Sequence, residues 1–146
     1  MHQIRGTYYS LLAGDDDAYL AARAIQFSTP GIPQVYYVGL LAGENNQESA
    51  EKSGEGRDIN RHNYSLEEIE QALKKDAVQR LLKLIQFRND YPAFDGDFKV
   101  LESEPGELHL SWGKDDIACT LRINLENYQS VIDYIDERGK EDKYLV

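Results

Sequence analysis

Residues 108–123 read LHLSWGKDDIACTLRI, and this stretch decides the fold of the C-terminal part of the chain. Apolar and polar residues alternate on both sides of residues 113–116, which are turn-forming types. Such alternation is typical of two antiparallel strands that are joined by a hairpin and have one face in water. Weaker strand candidates lie at residues 98–101, 131–135 and 144–146. Together these patterns predict a small antiparallel β domain over residues 94–146.

Helical patterns dominate the residues before this domain. Three carboxylates at 15–17 precede an apolar stripe over 18–28, and acidic residues at a helix start accept hydrogen bonds from its free N–H groups. A second helical pattern covers residues 65–89, with a Ser–Glu capping box at its start and a break at 75–76. Between the two, the β-branched and aromatic run at 34–38 is typical of a strand buried on both faces. This order of helix, strand and helix indicates an α/β arrangement.

A long polar segment, residues 39–63, separates the predicted strand from the second helical pattern. We expect it to be functional, because loops of this length are uncommon in compact domains. It contains GRDINRH at residues 56–62, beyond the carboxyl end of the predicted strand, where α/β sheets and barrels bind ligands. The planar donor fork of an arginine suits hydroxyl, carboxylate and phosphate groups. Two interpretations stay open: Arg57 and Arg61 contact a ligand, or they pair with Asp58 and nearby acids to order the loop.

Charge and cysteine usage exclude several classes of function. The net charge is −10, from 26 acidic and 16 basic residues, so we expect neither nucleic acid nor an anionic membrane as a partner. No apolar run is long enough to span a bilayer. A single cysteine, Cys119, excludes an internal disulfide framework and a multi-cysteine zinc site. Its alternating neighbours predict a buried, inert thiol, which fits a cytoplasmic location.

Five segments of the chain carry a family resemblance. They are TYYS at 7–10, YLAARAIQF at 19–27, PGIPQVYYVG at 30–39, LAGEN at 41–45, and GRDINRH at 56–62. These segments resemble the sucrose phosphorylases, which belong to the α-amylase family of glycoside hydrolases. The resemblance runs in register from His2 to Phe94 and more loosely to the end of the chain. Residues 34–43 and 56–62 are specific to this subfamily.

The resemblance implies a (β/α)8 barrel enzyme, of which this chain supplies only the C-terminal part, because a whole barrel needs about 250 residues. Residues 1–93 would be the last helices and the eighth strand of the barrel, and residues 94–146 the β-rich C-terminal domain, giving an α+β fold class. The implied reaction transfers glucose from sucrose or sucrose 6'-phosphate to inorganic phosphate with retention, and it requires no metal or organic cofactor. The family's three catalytic carboxylates precede the segment that aligns with Met1, so the resemblance places no catalytic residue in this chain.

The resemblance carries two binding positions over to this sequence. Arg57 matches the family's arginine that contacts the glucosyl unit, and Gln3 matches a glutamine on the loop that meets the fructosyl group. The family has Tyr before that glutamine and a small polar residue two places after it, where this chain has His2 and Arg5. Both can donate hydrogen bonds to a phosphate on the fructosyl side, as in the related sucrose 6'-phosphate phosphorylases. Plain and phosphorylated sucrose therefore stay open as substrates.

We expect the isolated chain to have no turnover. Two other interpretations stay open for it: a module that binds sugar without catalysis, and a structural or oligomerisation domain derived from the family. We expect the whole enzyme to form homo-oligomers, and the isolated chain to associate through exposed barrel edges, since unpaired edges bind other chains.

Overall fold

The computed structural model describes residues 5–136 and 138–146. The helices are α1 (Tyr8–Leu11), α2 (Asp16–Ser28), α3 (Tyr37–Leu40), α4 (Gln47–Ser53), α5 (Leu66–Ala72) and α6 (Asp76–Asp90), with 3-10 helices at Gly56–Asn60 and Pro92–Asp95. The strands are β1 (Asp97–Leu101), β2 (Glu107–Lys114), β3 (Ile117–Asn124), β4 (Ser130–Ile135) and β5 (Glu141–Leu145). Contacts divide the chain into two units. One comprises the described residues up to Tyr19 with Gln34–Gln79, and the other comprises Leu20–Pro33 with Arg80–Val146. The domain boundary between residues 93 and 94 stays a prediction.

The five strands form one antiparallel sheet in the order β1-β2-β3-β4-β5. This confirms the predicted antiparallel β domain. Gly113 and Lys114, expected in the turn, pair with β3 instead, so Asp115 and Asp116 alone form the turn between the strands. Asp115 adopts the left-handed conformation, with φ of 53°, that such tight turns favour. One face of the sheet is buried through side chains that alternate along the strands: Leu110, Trp112, Cys119, Leu121, Ile123 and Ile132.

Side chains of the second unit hydrogen-bond the end of α2. The last carbonyl groups of a helix lack partners within it. Trp112 donates its indole N–H to the carbonyl of Ser28 at 2.7 Å, and Arg88 donates from Nε to the carbonyl of Phe27 at 2.9 Å. The Arg88 guanidinium also lies 4.3 Å from the ring centroid of Phe94. These two side chains therefore supply hydrogen-bond donors to the last two carbonyl groups of α2.

The two predicted helical patterns are confirmed. Asp15 accepts from the backbone N–H of Ala18 at 2.8 Å, which caps the start of α2. The capping box at Ser65 and Glu68 is complete and starts α5. The predicted break is also present, because α5 ends at Ala72 and α6 begins at Asp76.

The predicted strand at 34–38 is wrong, because residues 34–36 are outside any strand and α3 begins at Tyr37. Only Val38 of this run is buried, whereas Tyr36 and Tyr37 are exposed. A strand of a parallel sheet needs at least one neighbouring strand to pair with, and every strand among the described residues belongs to the antiparallel sheet. The predicted long loop at 39–63 is likewise partly helical, since it contains α4 and the first 3-10 helix.

Candidate functional site

The GRDINRH segment forms a short 3-10 helix, Gly56–Asn60, that Asn46 fixes from the side. The backbone N–H of Asn46 donates to the carbonyl of Ile59 at 2.7 Å, and its side-chain oxygen accepts from Ser49 N–H at 2.9 Å, capping α4. The side-chain nitrogen of Asn46 lies 3.2 Å from Nδ1 of His62. One asparagine therefore connects α4 with the middle and the C-terminal end of the candidate segment. Asparagine is among the preferred N-cap residues, and here it caps α4.

His62 anchors the C-terminal end of the segment. Its Nε2 lies 3.0 Å from Oε1 of Glu68, and its carbonyl accepts from the Tyr37 hydroxyl at 2.8 Å. Its ring meets Tyr64 edge-on, with 4.5 Å between the centroids. The Ser65 backbone N–H and then the His62 ring hold the pKa of Glu68 below its usual value. His62 therefore acts as a structural link between the segment and α5.

The side chain of Arg57 is largely exposed and contacts only a neighbouring acid among the described residues. Its side chain is 64% exposed, and its Nε lies 3.5 Å from a carboxylate oxygen of Glu55, which is itself 58% exposed. A pair this exposed contributes little stability, so Arg57 can exchange Glu55 for another ligand. Among the residues that the structure describes, neither Arg57 nor Arg61 pairs with Asp58. The pairing interpretation is therefore met only in part, by the contact of Arg57 with Glu55. Asn46 and His62, which the sequence did not indicate, also hold the loop.

Arg5 lies against the same segment. A β-carbon built on Gly56 would stand 3.3 Å from Cζ of Arg5 and would overlap its Nη1. Within residues 5–136 and 138–146, Arg5 has no ion pair. The structure thus brings Arg5 beside the residue that directly precedes Arg57. His2 and Gln3 lie outside the described residues, so their roles stay predictions.

Asn45 fixes the backbone that follows Arg5. The N–H of Thr7 donates to Oδ1 of Asn45 at 2.8 Å, and the N–H of Asn45 donates to the Ser10 hydroxyl at 2.9 Å. Thr7 also caps α1 by accepting from the N–H of Ser10 at 3.1 Å. Two distant parts of the sequence are therefore fastened together two residues after Arg5.

The described residues contain no group of three His, Cys, Asp or Glu side chains that could hold a metal ion. Nor does any helix in residues 5–136 and 138–146 have the length and apolar character needed to cross a bilayer.

Comparison with known proteins identifies the family. The chain is 62% identical over 146 residues to the sucrose 6(F)-phosphate phosphorylase of Thermoanaerobacterium thermosaccharolyticum, a match that covers 100% of this chain and 30% of that protein. It is 56% identical over 132 residues to a sucrose phosphorylase of Agrobacterium vitis, covering 90% of this chain and 27% of that protein. The chain belongs to the sucrose phosphorylase family. No protein-family model matches it.

Solved structures agree with this family assignment. The crystal structure of sucrose 6F-phosphate phosphorylase from Thermoanaerobacter thermosaccharolyticum matches with a TM-score of 0.97 and 63% identity, over 99% of this chain and 30% of that one. The chain therefore corresponds to the C-terminal region of the family, about 30% of the length of these relatives. A cyclic α-maltosyl-(1→6)-maltose hydrolase from Arthrobacter globiformis shares the fold, with a TM-score of 0.71 at 16% identity. The resemblance and the fold class given in the sequence analysis are thereby confirmed.

Proposed function

We propose that this chain forms the sugar-contacting C-terminal part of a phosphorylase that transfers the glucosyl group of sucrose 6'-phosphate to inorganic phosphate. The observation that supports it is the position of Arg5 beside Gly56, directly before Arg57, in a chain of this family. The products would be α-glucose 1-phosphate and fructose 6-phosphate, in the cytoplasm. Plain sucrose is the alternative substrate.

The two arginines have different roles in this proposal. Arg57 contacts the glucosyl unit and orients it, so that binding energy positions the reacting carbon. Arg5, together with His2, binds the phosphate on the fructosyl side, and Gln3 contacts the fructosyl group itself. A guanidinium donates two parallel charge-assisted hydrogen bonds to a phosphate, which makes this pairing strong. Arg5 suits this role because its charge has no partner among the described residues.

The names of the relatives indicate that the leaving group varies among these enzymes. Their names include sucrose phosphorylase, sucrose 6(F)-phosphate phosphorylase and glucosylglycerol phosphorylase, the last at 52% identity from Marinobacter adhaerens. Sucrose and glucosylglycerol share the glucosyl group and differ in the group that leaves. Residues that contact the leaving group should therefore vary among these enzymes. His2 and Arg5 are such residues, whereas Arg57 serves the shared glucosyl unit.

Catalysis requires carboxylates that we place outside this chain. Retention by double displacement needs a nucleophilic carboxylate and an acid–base carboxyl about 5 Å apart. We assign both, with a third stabilising carboxylate, to the preceding part of the enzyme. The isolated chain should then show no phosphorolysis. It should bind sugar weakly or not at all, which a shift of its melting temperature with added sucrose would measure.

Exposed apolar side chains support an origin in a larger enzyme. Ile32 is 93% exposed and Leu66 is 81% exposed. Large apolar side chains left in water often mark surfaces that another element covers. We propose that preceding parts of the barrel cover them in the whole enzyme, and that the isolated chain associates instead. A sedimentation experiment showing a monodisperse monomer would contradict this association.

The experiment compares phosphorolysis of sucrose 6'-phosphate and sucrose by the complete enzyme, made by joining this chain to the preceding part of the Thermoanaerobacterium relative. We expect kcat/KM to be higher for sucrose 6'-phosphate. Arg57→Lys should lower kcat/KM for both sugars, because the planar fork is lost. Arg122→Lys in the β-sheet is the matched control and should change neither value. A higher kcat/KM for plain sucrose would refute the proposal that sucrose 6'-phosphate is the substrate. If the complete enzyme cleaves neither sugar, the proposed function is refuted.

A further inference from the structure

Gly56 leaves room for the guanidinium of Arg5. Any larger residue at position 56 would bring its β-carbon into overlap with Nη1 of Arg5. The same β-carbon would lie 3.3 Å from Cζ and 3.5 Å from Cδ of Arg5. Those three Arg5 atoms are the nearest neighbours of that position. The missing side chain at residue 56 therefore determines where the charge of Arg5 is held.

We propose that Gly56 is a positioning residue for Arg5: it admits the guanidinium next to Arg57, where Arg5 can bind the phosphate of a phosphorylated leaving group. This inference rests on the proposed function and adds to it the residue that positions Arg5. With Gly56, the guanidinium of Arg5 lies on the loop that carries Arg57. With any side chain at position 56, Arg5 must move away while the rest of the loop can remain.

The backbone at Gly56 makes this claim testable without unfolding the protein. Gly56 is not among the glycines with positive φ, so an alanine there meets no backbone strain. The atom that the new β-carbon would displace is the tip of a long, flexible side chain. The 3-10 helix is fixed by Asn46 and His62, and neither contact involves residue 56. Gly56→Ala should therefore displace Arg5 and little else.

Local charge explains why the position of Arg5 matters. Residues 55–62 together with Arg5 contain three arginines and two carboxylates, in a chain whose net charge is −10. Glu55 pairs with Arg57 at 3.5 Å. Arg5 therefore brings the charge that makes this neighbourhood favourable for an anion. Moving the Arg5 guanidinium outward would remove a hydrogen-bond donor to the phosphate of a phosphorylated sugar. A sugar without a phosphate would lose less binding affinity.

The test is a double-mutant cycle in the complete enzyme, with Gly56→Ala, Arg5→Ala and both changes together. We expect Gly56→Ala to lower kcat/KM for sucrose 6'-phosphate, relative to sucrose, by roughly tenfold to a hundredfold, the range for a lost charge-assisted hydrogen bond. The loss should appear in KM for the phosphorylated sugar. Arg5→Ala should give a similar loss, and the double variant should lose no more than Arg5→Ala alone.

A matched glycine substitution controls for general effects. Gly113→Ala, where the nearest neighbour of the new β-carbon would be 3.8 Å away, should leave the ratio of the two sugars unchanged. If Arg5→Ala alters the ratio and Gly56→Ala does not, the role of Gly56 is refuted and the proposed function stands. Additive losses in the double variant would also refute it. If the unmodified enzyme cleaves neither sugar, both proposals fall together.

Discussion

The Tyr91 hydroxyl offers the sharpest test of how the second unit is held together. It is positioned to donate to the carbonyl of Ile135 at 2.9 Å or of Ala118 at 3.0 Å, and it accepts from the N–H of Ile135 at 3.1 Å. Its ring stacks on Phe87, with 5.0 Å between centroids. Burial raises the pKa of Tyr91, so the hydroxyl stays neutral and able to donate at ordinary pH. The group thus ties the end of α6 to β3 and β4.

Tyr91→Phe removes the hydroxyl and keeps the stacked ring. One donated and one accepted hydrogen bond are lost, each worth about 0.5–1.5 kcal/mol, so we expect the free energy of unfolding to fall by about 2 kcal/mol. Urea unfolding followed by the fluorescence of Trp112 measures this change. Tyr128→Phe is the matched control, because Tyr128 is 39% exposed, and it should change stability little. A loss for Tyr91→Phe no larger than that of the control would refute this account of the packing.

Three further predictions concern single groups. Burial raises the pKa of Cys119 to about 12. Its alkylation in the folded chain should therefore be roughly a thousandfold slower than in urea. An alkylation rate in the folded chain within about tenfold of the rate in urea would contradict this. Ser65→Ala should lower the free energy of unfolding by about 1 kcal/mol, measured in urea with Glu67→Ala as control, and no change would argue against the capping box. The hydrogen bond to Asp16, and then burial, raise the pKa of Tyr9 to about 12. The stability that this contributes is complete below about pH 10 and is lost as pH rises through 12. Tyrosine-selective NMR titration measures the shift, which Asp16→Asn should reduce; a normal Tyr9 pKa would refute it.

The sheet could be predicted from the sequence because its information is local. Each strand pairs with the next along the chain, so short turns set the register, and one buried face imposes a period of two on the side chains. The helix starts were equally local, since Asp15 and the Ser65 capping box act within one turn. These elements required no knowledge of distant residues.

The strand at 34–38 could not be judged in this way. A run of valine and tyrosine satisfies a strand pattern, but hydrogen bonding in a parallel sheet depends on neighbours far away in sequence. In this structure the run gives way to α3 instead, with Val38 alone buried.

The sequence indicates one of the two arginines of the candidate site and does not indicate how the other is placed. The motif and the family resemblance indicate Arg57, and its role stays a prediction. The position of the motif after a predicted strand gives no support for a ligand, because no strand is present at residues 34–38. The approach of Arg5 to Gly56 was not predictable, because it depends on the Asn45 contacts and on a missing β-carbon. No sequence pattern reports which distant side chain occupies the space beside a glycine.

The most direct test of the central claim is a crystal structure of the complete enzyme with bound sucrose 6'-phosphate. We predict that the guanidinium of Arg57 contacts the glucosyl unit and that the guanidinium of Arg5 contacts the phosphate, beside Gly56. A bound sugar with Arg57 still turned into bulk solvent, or a phosphate held without Arg5, would contradict it.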